Sequence, residues 1–324
     1  MTKRTQNRVA ESRFTLPVVT AYAAAVWLAS GRLVPVLSGG AVPLWQKPLA
    51  ALALFALSAF LMAVLNNSNA LIRIYSRSVS CTFIVLMCAA SFLFDSIAGG
   101  FFQLCFVAGY LALFRTYQDK TAVGWSYYAF LCFGLASAAF VQTLCFVPIL
   151  WLLMFFQLTS LSWRTFFASV LGLLTPYWLA FPLLMFLGQT DQLVEHFAAL
   201  ADFQPLASDT AMLTVNEMLL LAFAVALGVT GTVHYQRKRS GDSIRIRLFY
   251  DCFIAMWIAS TCFLLLQPHH YDMFVRLVIV NVTPLTAHFL TFTNTRVTNV
   301  AFHVICATAL LLTVLNLWMP SLPF

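Results

Sequence analysis

Uncharged apolar stretches long enough to cross a bilayer, such as PLAALALFALSAFLMAVLNN (48–67) and TFFASVLGLLTPYWLAFPLLMFL (165–187), recur from one end of this chain to the other. In hydrocarbon every backbone N–H and C=O must find a partner within the protein, so such stretches fold as helices, and about 20 residues cross a core of ~30 Å. The charged fraction agrees. Only 9% of the 324 residues are charged and 61% are hydrophobic, with mean hydropathy +0.87, against roughly 25% charged in soluble domains. The expected fold class is an all-α polytopic transmembrane helix bundle, forming a single integral membrane domain over 1–324.

Apolar runs read against charged breaks place about eleven spans, near 14–37, 47–65, 79–96, 98–114, 122–140, 141–160, 165–187, 211–234, 248–266, 274–294 and 297–318. A count of ten, which would move the C-terminus to the other face, stays open. With the N-terminus in the cytoplasm, fifteen of the eighteen Lys and Arg fall on the inner side, and only Arg32, Lys47 and Arg276 remain for the outer one. That asymmetry places the N-terminus on the cytoplasmic side; the expected location, the cell inner (cytoplasmic) membrane, is what the family resemblance described below implies. The asymmetry also accounts for the formal charge of +7: the segment 235–247, YQRKRSGDSIRIR, reads as a basic cytoplasmic loop against an anionic leaflet. No nucleic-acid partner is expected. The basic N-terminus lacks a small-residue cleavage site and is expected to stay attached.

Most of the eight cysteines fall inside spans, and no CxxC or Cys/His metal spacing occurs, so neither disulfides nor metal are expected. There is no GxGxxG before a helix, no GxxxxGK[ST], no GxSxG and no HExxH. No cofactor is expected. The longest outer segment, 188–210, carries Leu193, Phe197 and Leu200 at helical spacing with Asp191, Glu195 and Asp202 on another face, the pattern of an extracytoplasmic amphipathic helix.

The densest polar cluster is PHHYDMFVR, 268–276. Pro268 ends one span, His269 and His270 sit in a turn, and Asp272 opens the next helix, with Arg276 four residues on and within pairing reach. A cap with an outward-reaching arginine explains these residues; so does a site for an anionic headgroup, with His269, His270, Asp272 and Arg276 as candidate catalytic residues. Glu217, just inside a span, joins that list. Candidate substrate-binding residues are Arg32, Asp95 in the turn FLFDSIAGG, and Asn281 and His288. The last two share a stripe with Pro284 and Thr291, which either bonds neighbouring helices or lines a wet cavity. Pro176 and Pro182 would free carbonyls in a kinked or broken seventh span.

Four segments, MAVLNNSNALIRIYSRSVSCTFIVLM, YYAFLCFGLASAAFVQTLCFVPILWLLMFF, SVLGLLTPYWL and VIVNVTPLTAHFL, resemble an uncharacterised family of multipass inner-membrane proteins of Bacteroidota. The helix bearing FGLASAAF and its proline-bearing successor also resemble membrane glycosyltransferases and glycan polymerases that use polyprenyl-linked sugars. That likeness implies an envelope role and a polyprenyl-linked or other anionic lipid as partner, although the first outer loop, SGGAVPLWQ, lacks the acidic residue of the sugar transferases. Three functions follow as expectations. One is a scaffold or accessory subunit in envelope biogenesis, binding other envelope proteins. A second is an enzyme acting on a lipid-linked glycan at the outer face, and a third a small-molecule or lipid transporter or flippase.

Overall fold

The computed structural model describes residues 4–33, 42–74, 76–201 and 213–318, and these are helical throughout, with no strand among them. In chain order the α-helices are α1 (Thr5–Glu11), α2 (Thr15–Ala29), α3 (Val42–Asn69), α4 (Ser78–Ala89), α5 (Ile97–Leu113), α6 (Val123–Ala139), α7 (Val147–Phe156), α8 (Trp163–Phe186), α9 (Asp191–Ala198), α10 (Val215–Lys238), α11 (Ile244–Leu266), α12 (Tyr271–Phe292) and α13 (Arg296–Trp318). Seven of the described helices are long and apolar enough to cross a membrane, those of α3, α5, α8, α10, α11, α12 and α13. Four shorter apolar helical stretches lie at α2, α4, α6 and 141–156. Two of these are eked out by 3₁₀ turns, Ser91–Asp95 after α4 and Val141–Phe146 before α7. At 1.5 and 2.0 Å per residue, each composite reaches roughly 28 Å.

Polar side chains start the helices where the sequence offers them. Ser96 caps α5 by accepting from the Gly99 N–H at 2.9 Å, Ser162 and Thr214 form capping boxes on α8 and α10, and Ser243 caps α11. These caps correct three expectations. The stretch 235–247 is not a loop: α10 runs on to Lys238 and α11 begins at Ile244, leaving a tight turn. Glu217 sits at the third position of α10, at the very start of that span rather than several residues into it, and its carboxylate accepts from the Thr214 N–H at 2.7 Å. α8 runs continuously through Pro176 and Pro182. Of the segment 188–210, residues 191–201 are helical, 188–190 form the turn before them, and 202–210, Asp202 included, lie outside the described residues.

α12 is the hub of the bundle, buried along nearly all its length among α4, α5, α10 and α11. A column of rings on α5, Phe102, Phe106, Tyr110 and Phe114, follows the i, i+4 spacing that puts side chains on one helix face. It packs against Phe133 of α6 and Phe253 and Phe249 of α11, the Phe114 and Phe249 rings stacking at 4.2 Å. α6 and α8 touch backbone to backbone, because a Cβ on Gly134 or Gly172 would meet the other helix's main chain. The eight cysteines are free thiols.

Hydrogen bonds define the two ends. At one, Gln6 bonds Thr293, Ser76 bonds Ala10, Arg73 bonds Gly241, and Ser162 bonds Lys120. At the other, Arg32 meets Asp95, Gln142 meets His270 and Ala199, and Tyr271 meets Glu217. The segments that carry most of the positive charge therefore gather at a single end.

Candidate functional site

A cavity of about 580 Å³ opens at the end away from the basic segments. Four separate parts of the chain supply its polar lining. The 3₁₀ turn after α6 brings Gln142, α9 brings His196, the start of α10 brings Glu217, and the turn between α11 and α12 brings His269, His270 and Asp272. The local sequence explains each placement. Gln267 leaves the helical region (φ −137°) and Pro268 starts a 3₁₀ turn, which swings both imidazoles out of α11. The carboxylate of Asp272 lies in the first turn of α12, where the helix dipole favours it. Glu217 is held by its capping box.

The fixed hydrogen bonds lie on one wall. The Gln142 amide nitrogen lies 3.0 Å from His270 Nε2 and donates to the Ala199 carbonyl at 3.2 Å. The Tyr271 hydroxyl donates to the Glu217 carbonyl at 2.7 Å, tying α12 to α10. His196 lies 3.5 Å from the Tyr177 hydroxyl of α8. His269 and Asp272 are exposed. Among the described residues no Lys or Arg lines the cavity. Chemically, it offers imidazoles that can take or give a proton, two carboxylates and an amide, all suited to hydroxyl groups. Among the described residues no group of His, Cys, Asp or Glu is arranged to hold a metal ion.

Of the residues singled out from sequence, His269, His270, Asp272 and Glu217 converge here, and five do not. Arg276 turns away from Asp272 without forming an ion pair; it is 2% exposed and donates to the Leu93 carbonyl. The reason is space, because Gly99 of α5 leaves a hollow that the guanidinium fills. Arg32 and Asp95 form a two-pronged pair, with Arg32 NH2 2.7 Å from Asp95 Oδ2. Asn281 is fully buried, accepting from the Tyr110 hydroxyl at 2.7 Å and donating to Leu277 at 2.8 Å. At Asn281 the stripe bonds neighbouring helices. Thr291, on the same stripe, donates to Ser78 at 3.0 Å.

His288 belongs to a second cluster at the basic end. Its Nε2 lies 3.2 Å from Asp242 Oδ2, and the other oxygen of Asp242 lies 3.1 Å from Arg73 Nε. Rings of His234, Tyr235, Tyr250 and Phe292 surround His288 at 4.7 to 5.6 Å. The Asp242 carboxylate, 0% exposed, is the residue that sequence reasoning missed here, and Arg73 is the other. His196 and Gln142 were missed at the cavity. For Glu217 a local signal existed: TVNE at 214–217 is a capping-box pattern.

Compared with protein-family models, curated proteins and solved structures, the chain matches none.

Proposed function

We propose that this is a multipass protein of the cytoplasmic membrane, crossing it eleven times with its N-terminus inside, that serves envelope biogenesis. It holds the uncharged, hydroxyl-rich head of a membrane amphiphile in the histidine-lined outer cavity. The observation that carries this reading is the convergence of His196, His269, His270, Asp272, Glu217 and Gln142, from four parts of the chain, on one cavity. The gathering of the basic segments at the opposite end supports that end as cytoplasmic. The nature of the head follows from the lining: without a cation to meet phosphate, the cavity selects hydroxyl groups. An apolar tail has a surface beside it, since Trp178, Phe186 and Leu187 of α8 and its end, and Val194 of α9, are exposed. His269, the most open imidazole, is placed to act as base toward a hydroxyl of the bound head. The diphosphate of a polyprenyl-linked sugar has no partner in this lining, so Arg276 takes no part in the proposed site.

Native mass spectrometry of the detergent-purified protein, wild type beside His269→Ala and Asp272→Asn, tests the reading. A hydroxyl-rich amphiphile retained by the wild type and lost in both variants is the expected result. Bulk phospholipid, equal in all three, would overturn it.

A second reading, an accessory subunit for other envelope proteins, is favoured by α8. That helix packs on α6 and leaves Trp163, Leu171, Trp178 and Leu179 exposed along one side. Cysteine crosslinking from Leu171 separates the two, since a subunit yields one discrete protein adduct and a lipid-facing helix yields none.

A further inference from the structure

Arg276 presents a problem that its hydrogen bond to Leu93 does not solve. A guanidinium taken out of water costs several kcal/mol unless opposite charge compensates it, and no carboxylate lies within ion-pair distance of this one among the described residues. Asp272, one helical turn away, faces the outer cavity, and Asp95 is engaged by Arg32. Its surroundings add to the cost. The guanidinium rests on Gly99, where a Cβ would lie 2.5 Å from Nε, in the first turn of the 17-residue α5. A helix N-terminus carries about half a positive charge. A buried cation packed on a positive helix end is therefore doubly unfavourable.

The structure offers an answer beside it. The Nε–H of Arg276 is buried without a partner, and Arg276 lines an enclosed pocket of about 10 Å³ together with Ser96 and Gly100 of that same helix start, Trp27 and Gln103. The indole Nε1 of Trp27 and the amide oxygen of Gln103 are also buried without partners. Such a volume admits one particle of about the size of a water molecule. A water there would satisfy hydrogen bonds but leave the charge compensated only from beyond ion-pair distance, by Asp272. A monoatomic anion does both, accepting from Arg276 Nε–H and from Gln103 once its amide is turned half a rotation, an assignment that ordinary structures leave open.

We propose that this pocket, at the start of α5 and against Arg276, is a site for a single halide-sized anion, chloride being the common one. It is separate from the histidine-lined cavity and does not depend on what binds there.

The thermal midpoint of the purified wild-type protein, measured in sodium chloride and in sodium gluconate at equal ionic strength, reads the site. A midpoint several degrees higher in chloride, with saturating dependence on its concentration, is expected, and Arg276→Gln should abolish the difference. Gln103→Leu, which keeps the cation and the helix, should shift the half-saturating concentration upward about tenfold, and this keeps the test decisive if Arg276→Gln does not fold. Crystals grown with bromide should show one anomalous peak within hydrogen-bond reach of Arg276 Nε. Equal midpoints in the two salts, or a pocket holding water with no bromide signal, would overturn the proposal.

Discussion

The two ends of this molecule each bring histidines beside a carboxylate, and they use them in opposite ways. At the cavity, His269 and Asp272 face open space, while His196, His270 and Glu217 are tied to neighbours. At the basic end, His288 and Asp242 are sealed beneath Tyr235, Tyr250 and Phe292, and Asp242 joins α12 to the 70–74 segment through Arg73. The difference teaches that residue type does not decide whether a histidine–carboxylate cluster is a site or a clamp; burial and prior partners do. A buried acid already paired with two bases and covered by rings has no open face for a ligand, whereas an exposed one lining an open cavity has.

Removing Asp242 should therefore hurt most. Asp242→Ala strips partners from both Arg73 and a buried His288, and breaking a buried pair in this way should cost about 3 kcal/mol, read from urea or SDS unfolding of the purified protein. A loss no greater than that of an exposed residue would mean the cluster is not a clamp. Next in size is Gly172→Ala. The new methyl would collide with the Tyr127 carbonyl of α6, and overpacking of this kind should cost about 2 kcal/mol and loosen α8 from α6. If protease accessibility of α8 does not change, the close approach is not what seats that helix.

Much of this architecture was legible in the sequence, because apolar length and charge breaks are local signals. Each of the eleven expected spans falls on a described helix or helix-plus-3₁₀ segment, but only seven of those helices are long and apolar enough to cross a membrane. Ends were misjudged where caps overrode hydropathy. Ser243 starts α11 inside what read as a basic loop, and Thr214 draws Glu217 into a cap at the start of α10. The turn at Pro268 was visible for a similar reason, since proline acts on its own neighbours. Partnerships across the fold were not visible. His288 and Asp242 stand 46 residues apart, and Gln142 and His270 stand 128 apart, so no spacing rule joins them. Arg276 and Asp272, at ideal helical spacing, were the natural pair. A hollow at Gly99, 177 positions away from Arg276, drew the guanidinium elsewhere, and that hollow exists only once α5 and α12 pack.

Asn281 lies between the extremes, buried like Asp242 but uncharged. Asn281→Leu leaves the Tyr110 hydroxyl without its acceptor, and interhelical bonds in membranes are worth about 1 kcal/mol. Unfolding of the double variant Asn281→Leu, Tyr110→Phe should recover most of that loss, because a pair removed together leaves no orphan. Were the double variant as damaged as the single one, the bond would not be what joins α5 to α12.

The smallest effect on stability belongs to the cavity, and there the comparison is sharpest. His269 is exposed and carries no described hydrogen bond, so His269→Ala should change unfolding by less than about 0.5 kcal/mol, as surface substitutions do. The same substitution should remove the retained amphiphile. A residue whose loss spares the fold and empties the cavity behaves as the opposite of Asp242, whose loss should weaken the fold and leave the cavity filled in whatever protein still folds. If His269→Ala instead destabilises the protein as Asp242→Ala does, the outer imidazoles are structural too. The two ends would then differ in exposure without differing in role.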